Sequence, residues 1–267
     1  MKLIGATYVL NEERLVPYVM PYVEKMGYDK FIVYDDGCTD NTLNLLKEYP
    51  FVEIREGKRT NIDSFEDRKL HAMNSTIEEA LSTYAYKGED VWFTFTDFDE
   101  VIYCQREREQ TTKGYLELLT LKGYNYYDGR MLHLSWDGTE QTGGLPHTWS
   151  GARGTWWMME GRKVTLINLT AFKAFKVFYG NHVLCASPRE GVRLMNLADE
   201  GSFNGFHFKY FLPNKGQDIR LVDNADNSIK TIRETSFPLS DYFLMKGFFV
   251  QKTPPNNRDY GEGFVLM

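Results

Sequence analysis

Four runs of strand type, LIGATYV, KFIVY, FVEIRE and VWFTFT, alternate with segments of helical character in the first hundred residues. Few architectures accept that pattern. Repeated strand-helix-strand units close as a parallel sheet with helices on both faces, because each crossover must return the chain to the same end of the sheet. The sequence therefore predicts an α/β chain with a mostly parallel sheet. Asn11 is expected to cap a first helix, whose apolar positions Leu15, Val19, Tyr22 and Met26 recur at helical spacing before Gly27 ends it. Pro17 and Pro21 count against a regular helix there. The run KFIVY leads into the turn-forming DDGCTDNT, where Asp40 is expected to cap a short helix, and residues 64 to 87 read as a longer one.

At 267 residues and 42% hydrophobic, the chain can bury one large core. Its net charge of -6 argues against a nucleic-acid partner, which would need a basic face. The three cysteines, Cys38, Cys104 and Cys185, lack CxxC spacing, so neither a zinc site nor a disulfide framework is expected and a reducing compartment fits. The stretch MKLIGATYVLNEER meets charge at Glu12 too early for a signal peptide, and no run approaches the ~20 apolar residues of a membrane span. The expected location is the cytoplasm, with peripheral contact at the inner face of a membrane left open. GxGxxG is absent, so a dinucleotide oxidoreductase has little support.

Parallel sheets of this kind bind ligands beyond the carboxyl ends of their strands. Two acidic clusters sit at such ends: Asp35 with Asp36, and Asp97, Asp99 and Glu100 in VWFTFTDFDEVIY. Isolated acids of this type often serve only as turn formers. A DxD triplet, however, places its two aspartates on one side of an extended segment, where both can address one cation. Carboxylates suit Mg²⁺ or Mn²⁺, ions that also take up substrate phosphates. Glu100 should point to the opposite face and brace a basic neighbour.

The stretch NEERLVPYVMPYVEKMGYDKFIVYDDGCTDNT resembles the opening of GT-A fold glycosyltransferases of the family-2 type, and DFDE is similar to their DxD motif in the DxDE form of the glycosyltransferase-like family 2 branch. KAFKVFYGNHVL and GFHFKYF are similar to that branch's late pattern of Lys, His and a His-aromatic pair. The resemblance spans residues 3 to 103 and, more thinly, 172 to 211. It implies a single GT-A-like, Rossmann-type domain over residues 1–267, with a nucleotide-binding half (1–103), an acceptor and metal half (104–217) and a smaller mixed C-terminal part ending in an extension (218–267). The implied activity is transfer of a sugar from a nucleoside diphosphate donor, UDP-linked or similar, to a glycan, glycolipid or other hydroxyl acceptor in polysaccharide biosynthesis. It would be inverting and would depend on Mn²⁺ or Mg²⁺. By the same resemblance Thr7, Tyr8, Glu12, Asp36, Arg68 and Asp97 line the nucleotide site, and Asp97, Asp99 and His207 form the metal site, with His182 as the rival to His207.

An inverting transfer needs a carboxylate that deprotonates the acceptor hydroxyl. MLHLSWDGTEQTGG offers Asp137, the preferred base, and Glu140, with Asp199 in reserve. Trp149, Trp156 and Trp157 could stack on acceptor sugars, although aromatic rings more often fill cores. Two other functions stay open. FTFTDFDEVI also resembles the motif of haloacid-dehalogenase-type phosphohydrolases, with Asp97 as nucleophile, but it follows three βα units and no GDxxxD occurs. A non-catalytic carbohydrate-binding protein would keep the same pocket without turnover. Residues 228–255 are expected to form a helix with an aromatic face that packs on the core by default, with subunit pairing or a membrane surface as alternatives.

Overall fold

The computed structural model describes residues 1–57, 64–104, 111–129, 131–136, 144–155, 163–178, 183–200 and 202–210, and the pairs 237–238, 258–259 and 265–266. Its first strands are β1 (Lys2–Val9), β2 (Lys30–Asp35), β3 (Val52–Glu56), β4 (Val91–Phe95) and β5 (Glu100–Cys104). They are followed by β6 (Tyr126–Gly129), β7 (Met131–Trp136), β8 (Ala152–Thr155), β9 (Lys163–Asn168), β10 (Phe172–Phe178), β11 (Val183–Pro188) and β12 (Phe203–Tyr210). The helices are α1 (Val16–Met26), α2 (Thr42–Leu46), α3 (Phe65–Thr83) and α4 (Thr112–Leu121).

Every residue of β1 from Leu3 to Val9 is buried, as a central strand covered on both faces must be. It pairs in parallel with β2 and β4, and β2 pairs in parallel with β3. Antiparallel β9 joins β4 and carries β6 on its far side, giving the order β3-β2-β1-β4-β9-β6. The alternation of side chains then sorts the helices. Ile4, Ala6 and Tyr8 meet Ala72, Met73, Ile77 and Ala80 of α3 on one face. On the other, Val9, Phe31 and Val33 meet α1, and Leu3 and Trp92 meet Leu116 and Leu119 of α4. The expected mostly parallel sheet with helices on both faces is therefore present.

A second sheet runs β8-β7-β12-β5, with β12 antiparallel to β5 and parallel to β7. Strands β10 and β11 form an antiparallel pair. No helix among the described residues is long and apolar enough to cross a membrane.

The helix boundaries depart from expectation at the start of α1 and at the end of α3. Helix α1 starts at Val16 with Leu15 at its N-cap and no side-chain cap, so Asn11 does not cap it. Asn11 instead adopts a left-handed backbone (φ 58°), and its Oδ1 accepts from the Thr39 N–H at 2.8 Å, tying the loop after β1 to the loop after β2. Pro17 falls in the first turn, where its missing N–H costs nothing, and Gly27 ends the helix in the left-handed region as expected. Asn41, without a side-chain cap, stands at the N-cap of α2, and Asp40, one residue earlier, instead closes an Asx turn, its Oδ1 accepting from Thr42 N at 3.0 Å. Helix α3 ends at Thr83 and a 3-10 turn covers Ala85–Lys87. The helix expected in the C-terminal extension lies outside the described residues apart from Phe237 and Pro238, which pair with β8.

Candidate active site

The site forms where the carboxyl ends of β2 and β4 meet the first turn of α3. Asp36 follows β2, and Arg68 grips it with both arms of its guanidinium, Nε to Oδ1 at 2.7 Å and Nη2 to Oδ2 at 2.6 Å. The Tyr8 hydroxyl lies 2.9 Å from Asp36 Oδ1 and 2.6 Å from the Gly57 carbonyl oxygen. Burial, and then the adjacent Asp36, raise the Tyr8 pKa far above the usual phenol value, so it stays a donor. Gly57 is required here, since a Cβ would sit 2.8 Å from the Tyr8 ring. With its side chain 4% exposed, Asp36 is held rather than displayed.

The next residue of α3, Lys69, serves the other strand tip. Its Nζ donates to Asp97 Oδ1 at 2.8 Å and lies 3.2 Å from Glu66 Oε2. Burial alone would lower the Lys69 pKa, but Asp97 and then Glu66 more than offset it and hold the ammonium above its ordinary value. Asp97 stays 38% exposed. Phe98 turns into the core, and the Glu100 N–H closes a tight turn onto the Asp97 carbonyl at 2.9 Å.

Strand β12 brings His207 to this turn. It sits opposite Glu100 on β5 and His133 on β7, and the Phe208 N–H donates to the Asp99 carbonyl at 2.7 Å. His207 Nε2 lies 3.0 Å from Asp99 Oδ2, and Nδ1 lies 3.8 Å from Glu100 Oε1. The His133 ring lies against that of His207 with centroids 4.7 Å apart. Glu100 is fully buried and pairs with Lys163 of β9. Burial and then Asp97 push its pKa up, while Lys163 pulls the other way.

These donors fit a small divalent cation. Adjacent ligands around an ion with ~2.1 Å bonds are about 3 Å apart, the separation seen between Asp99 Oδ2 and His207 Nε2. No group of three or more His, Cys, Asp or Glu among the described residues could hold a metal ion alone, so substrate and water would complete the coordination.

Of the residues singled out from sequence, the structure gathers Asp97, Asp99 and His207 at one turn and links Asp36 to it through Arg68 and its neighbour Lys69. Thr7 lies below the strand tips, wholly buried, donating to the Thr96 carbonyl at 3.0 Å. Glu12 is half-buried, and its N–H donates to Thr42 Oγ1 at 2.7 Å. Trp149 is half-buried and packs edge-on against Tyr18 and Trp136. Asp199 is exposed. Asp137, Glu140, Trp156, Trp157 and His182 lie outside the described residues. Sequence reasoning missed Lys69 and Lys163. The basic pair Arg68-Lys69 at a helix start was a signal for the first; nothing in the sequence marks the second.

Residues 11–143 match the model of glycosyltransferase family 92. The match spans both acidic strand tips and supports a glycosyltransferase enzyme. The motif resemblance was to the family-2 type, and what the two have in common is glycosyl transfer. Similar solved structures include Staphylococcus aureus TarS 1-349 in complex with UDP, at 15% identity over 64% of this chain and 47% of that chain (TM-score 0.39). Others are the Pyrobaculum calidifontis mannosyltransferase PcManGT in complex with GDP-Man and Mn²⁺, at 20% identity over 38% and 28% (TM-score 0.26), and 4-diphosphocytidyl-2C-methyl-D-erythritol synthase, at 10% identity over 64% and 76% (TM-score 0.33). The chain spans less than half the length of each TarS structure. A search of curated proteins found no match.

Proposed function

We propose that the chain transfers a sugar from a nucleoside diphosphate donor to a hydroxyl of a glycan or glycolipid, with inversion, using Mn²⁺ or Mg²⁺ held by Asp99 and His207. The observation that carries this reading is the approach of Asp99 Oδ2 and His207 Nε2 to 3.0 Å at a parallel-strand tip, beside the exposed Asp97. The cation, when bound, offsets charge on the departing diphosphate. Asp97 has one oxygen fixed by Lys69 and keeps a carboxylate edge for a ribose hydroxyl or a bound water. Tyr8, Asp36 and Arg68 wall the nucleotide side. Asp137 follows β7 directly, four residues beyond His133, and is the base of the proposal: it takes the acceptor proton while the acceptor oxygen bonds the anomeric carbon and the bond to diphosphate breaks. The family-2 branch and its DxDE motif belong to the same proposal.

The test is a calorimetric titration of UDP with Mn²⁺ and again with chelator. Mn²⁺ should strengthen binding at least about tenfold, and Asp99→Ala and His207→Ala should each remove that gain. Because both serve one ion, the double variant should lose less than the sum. No nucleotide affinity in either condition would overturn the reading. For the base, Asp137→Asn should lower turnover by about 10²–10⁴-fold with UDP affinity unchanged, since the proton moves only in the transition state. Near-normal turnover would transfer the role to Glu140 or Asp199.

A further inference from the structure

Glu100 is the most deeply buried acid of the site, its side chain 0% exposed and paired with Lys163, itself buried. The pair joins β5 of the second sheet to β9 of the first. Taking two charges out of water is costly, and an apolar pair of similar volume often serves stability as well. Packing alone thus leaves the pair unexplained. Its position is more telling: Glu100 faces His207 across the β5-β12 ladder, so both side chains leave the sheet on one face. The imidazole is flanked by consecutive carboxylates, Asp99 on its Nε2 side at 3.0 Å and Glu100 on its Nδ1 side at 3.8 Å. Glu100 Oε1 accepts from Lys163 while Oε2 has no hydrogen-bond partner among the described residues, so the carboxylate retains capacity to accept once a small shift closes the 3.8 Å gap, which is beyond hydrogen-bond reach as it stands.

A neutral imidazole carries one proton, and only its bare nitrogen can ligate a metal. If Nε2 shares a cation with Asp99, the proton must sit on Nδ1, on the side facing Glu100. We propose that Glu100, anchored by Lys163, is a positioning residue that accepts the Nδ1–H of His207 and so presents a bare Nε2 to the cation. One N–H is lost at Nε2 and one gained at Nδ1, so the ring's charge does not change. The inference rests on the cation reading of Asp99 and His207 given above.

The test pairs Mn²⁺-dependent UDP calorimetry with ¹⁵N spectra of the His207 ring, the latter with diamagnetic Zn²⁺ and UDP. In the wild type the ring should become the Nδ1–H tautomer when Zn²⁺ and UDP are added. In Glu100→Leu/Lys163→Met, the apolar replacement should keep the melting temperature near wild type, while cation affinity falls about 10–100-fold, as for other outer-shell partners of metal-ligating histidines. The ring should then stay Nε2–H at the Zn²⁺ concentration that converts the wild type. If the double variant does not fold, Glu100→Gln, which keeps the volume and a weaker acceptor, should show a smaller loss in the same direction. Wild-type affinity and an unchanged tautomer response in the folded variant would overturn the positioning role while leaving the cation site intact. Failure of the cation reading is told apart by His207→Ala, which would then bind UDP with Mn²⁺ as the wild type does.

Discussion

Asp97 and Asp99 flank the buried ring of Phe98 in a tight turn, closed by the Glu100 N–H on the Asp97 carbonyl, rather than in the expected extended segment, so only the clustering of these acids could be read from the sequence. The cations that manage these acids could not, because each comes from far along the sequence: Lys69 reaches Asp97 across 28 residues and Lys163 reaches Glu100 across 63. Flexible side chains meet by tertiary geometry, and no local pattern encodes their meeting. Arg68 and Asp36 show the energetic side of this. Asp36 is buried, so Arg68→Met would leave an uncompensated charge in the interior and should destabilise the fold. Adding Asp36→Leu should recover most of that loss. Urea unfolding of the two variants decides it: equal stability of single and double would mean that the ion pair, rather than the stranded carboxylate, carries the energy.

At the scale of elements, the first turn of α3 organises the site. Ser64 Oγ accepts from the Asp67 N–H at 3.0 Å, and Glu66 and Asp67 lie at the positive end of the helix dipole. From that fixed start Arg68 and Lys69, about 100° apart around the axis, reach the tips of two different strands. Ser64→Ala should cost about 1 kcal/mol of stability. It should also weaken UDP binding, because fraying there releases both cations at once. A variant that loses stability but keeps wild-type UDP affinity would show that the sheet, not the helix start, sets the site. The parallel core and α3 were legible because β1, β2 and β4 are buried and apolar along most of their length and the helices between them keep their period. The second sheet was not, since its short strands pair in the order β8-β7-β12-β5 through contacts distant in sequence. The start of α1 failed for a related reason: Thr39, from another loop, claims the Asn11 side chain.

Across the whole molecule, α1 ties the two sheets together, and His147 sits at the joint. Its Nδ1 lies 2.8 Å from the Tyr22 hydroxyl of α1, and its ring packs on Tyr103 of β5 and Phe206 of β12. Burial pushes its pKa down from 6.5 to about 4, so the folded state holds it neutral. A histidine depressed in this way contributes stability in full above its unfolded value of 6.5, and that contribution is lost as pH falls through the folded value. At about 1.4 kcal/mol per pKa unit, the full loss is about 3 kcal/mol, complete only below pH ~4. The chain carries other titratable groups, so the wild-type slope alone is not diagnostic. The comparison that isolates His147 is His147→Phe, which keeps an aromatic ring in the joint and removes the titrating group. Its absolute stability should fall, because the Tyr22 hydroxyl loses a partner. Its unfolding free energy should nevertheless decline less steeply than the wild type's between pH 6.5 and 4.5, measured by urea denaturation. Parallel slopes for the two proteins would show that protonation of the joint between the sheets does not govern stability in this range.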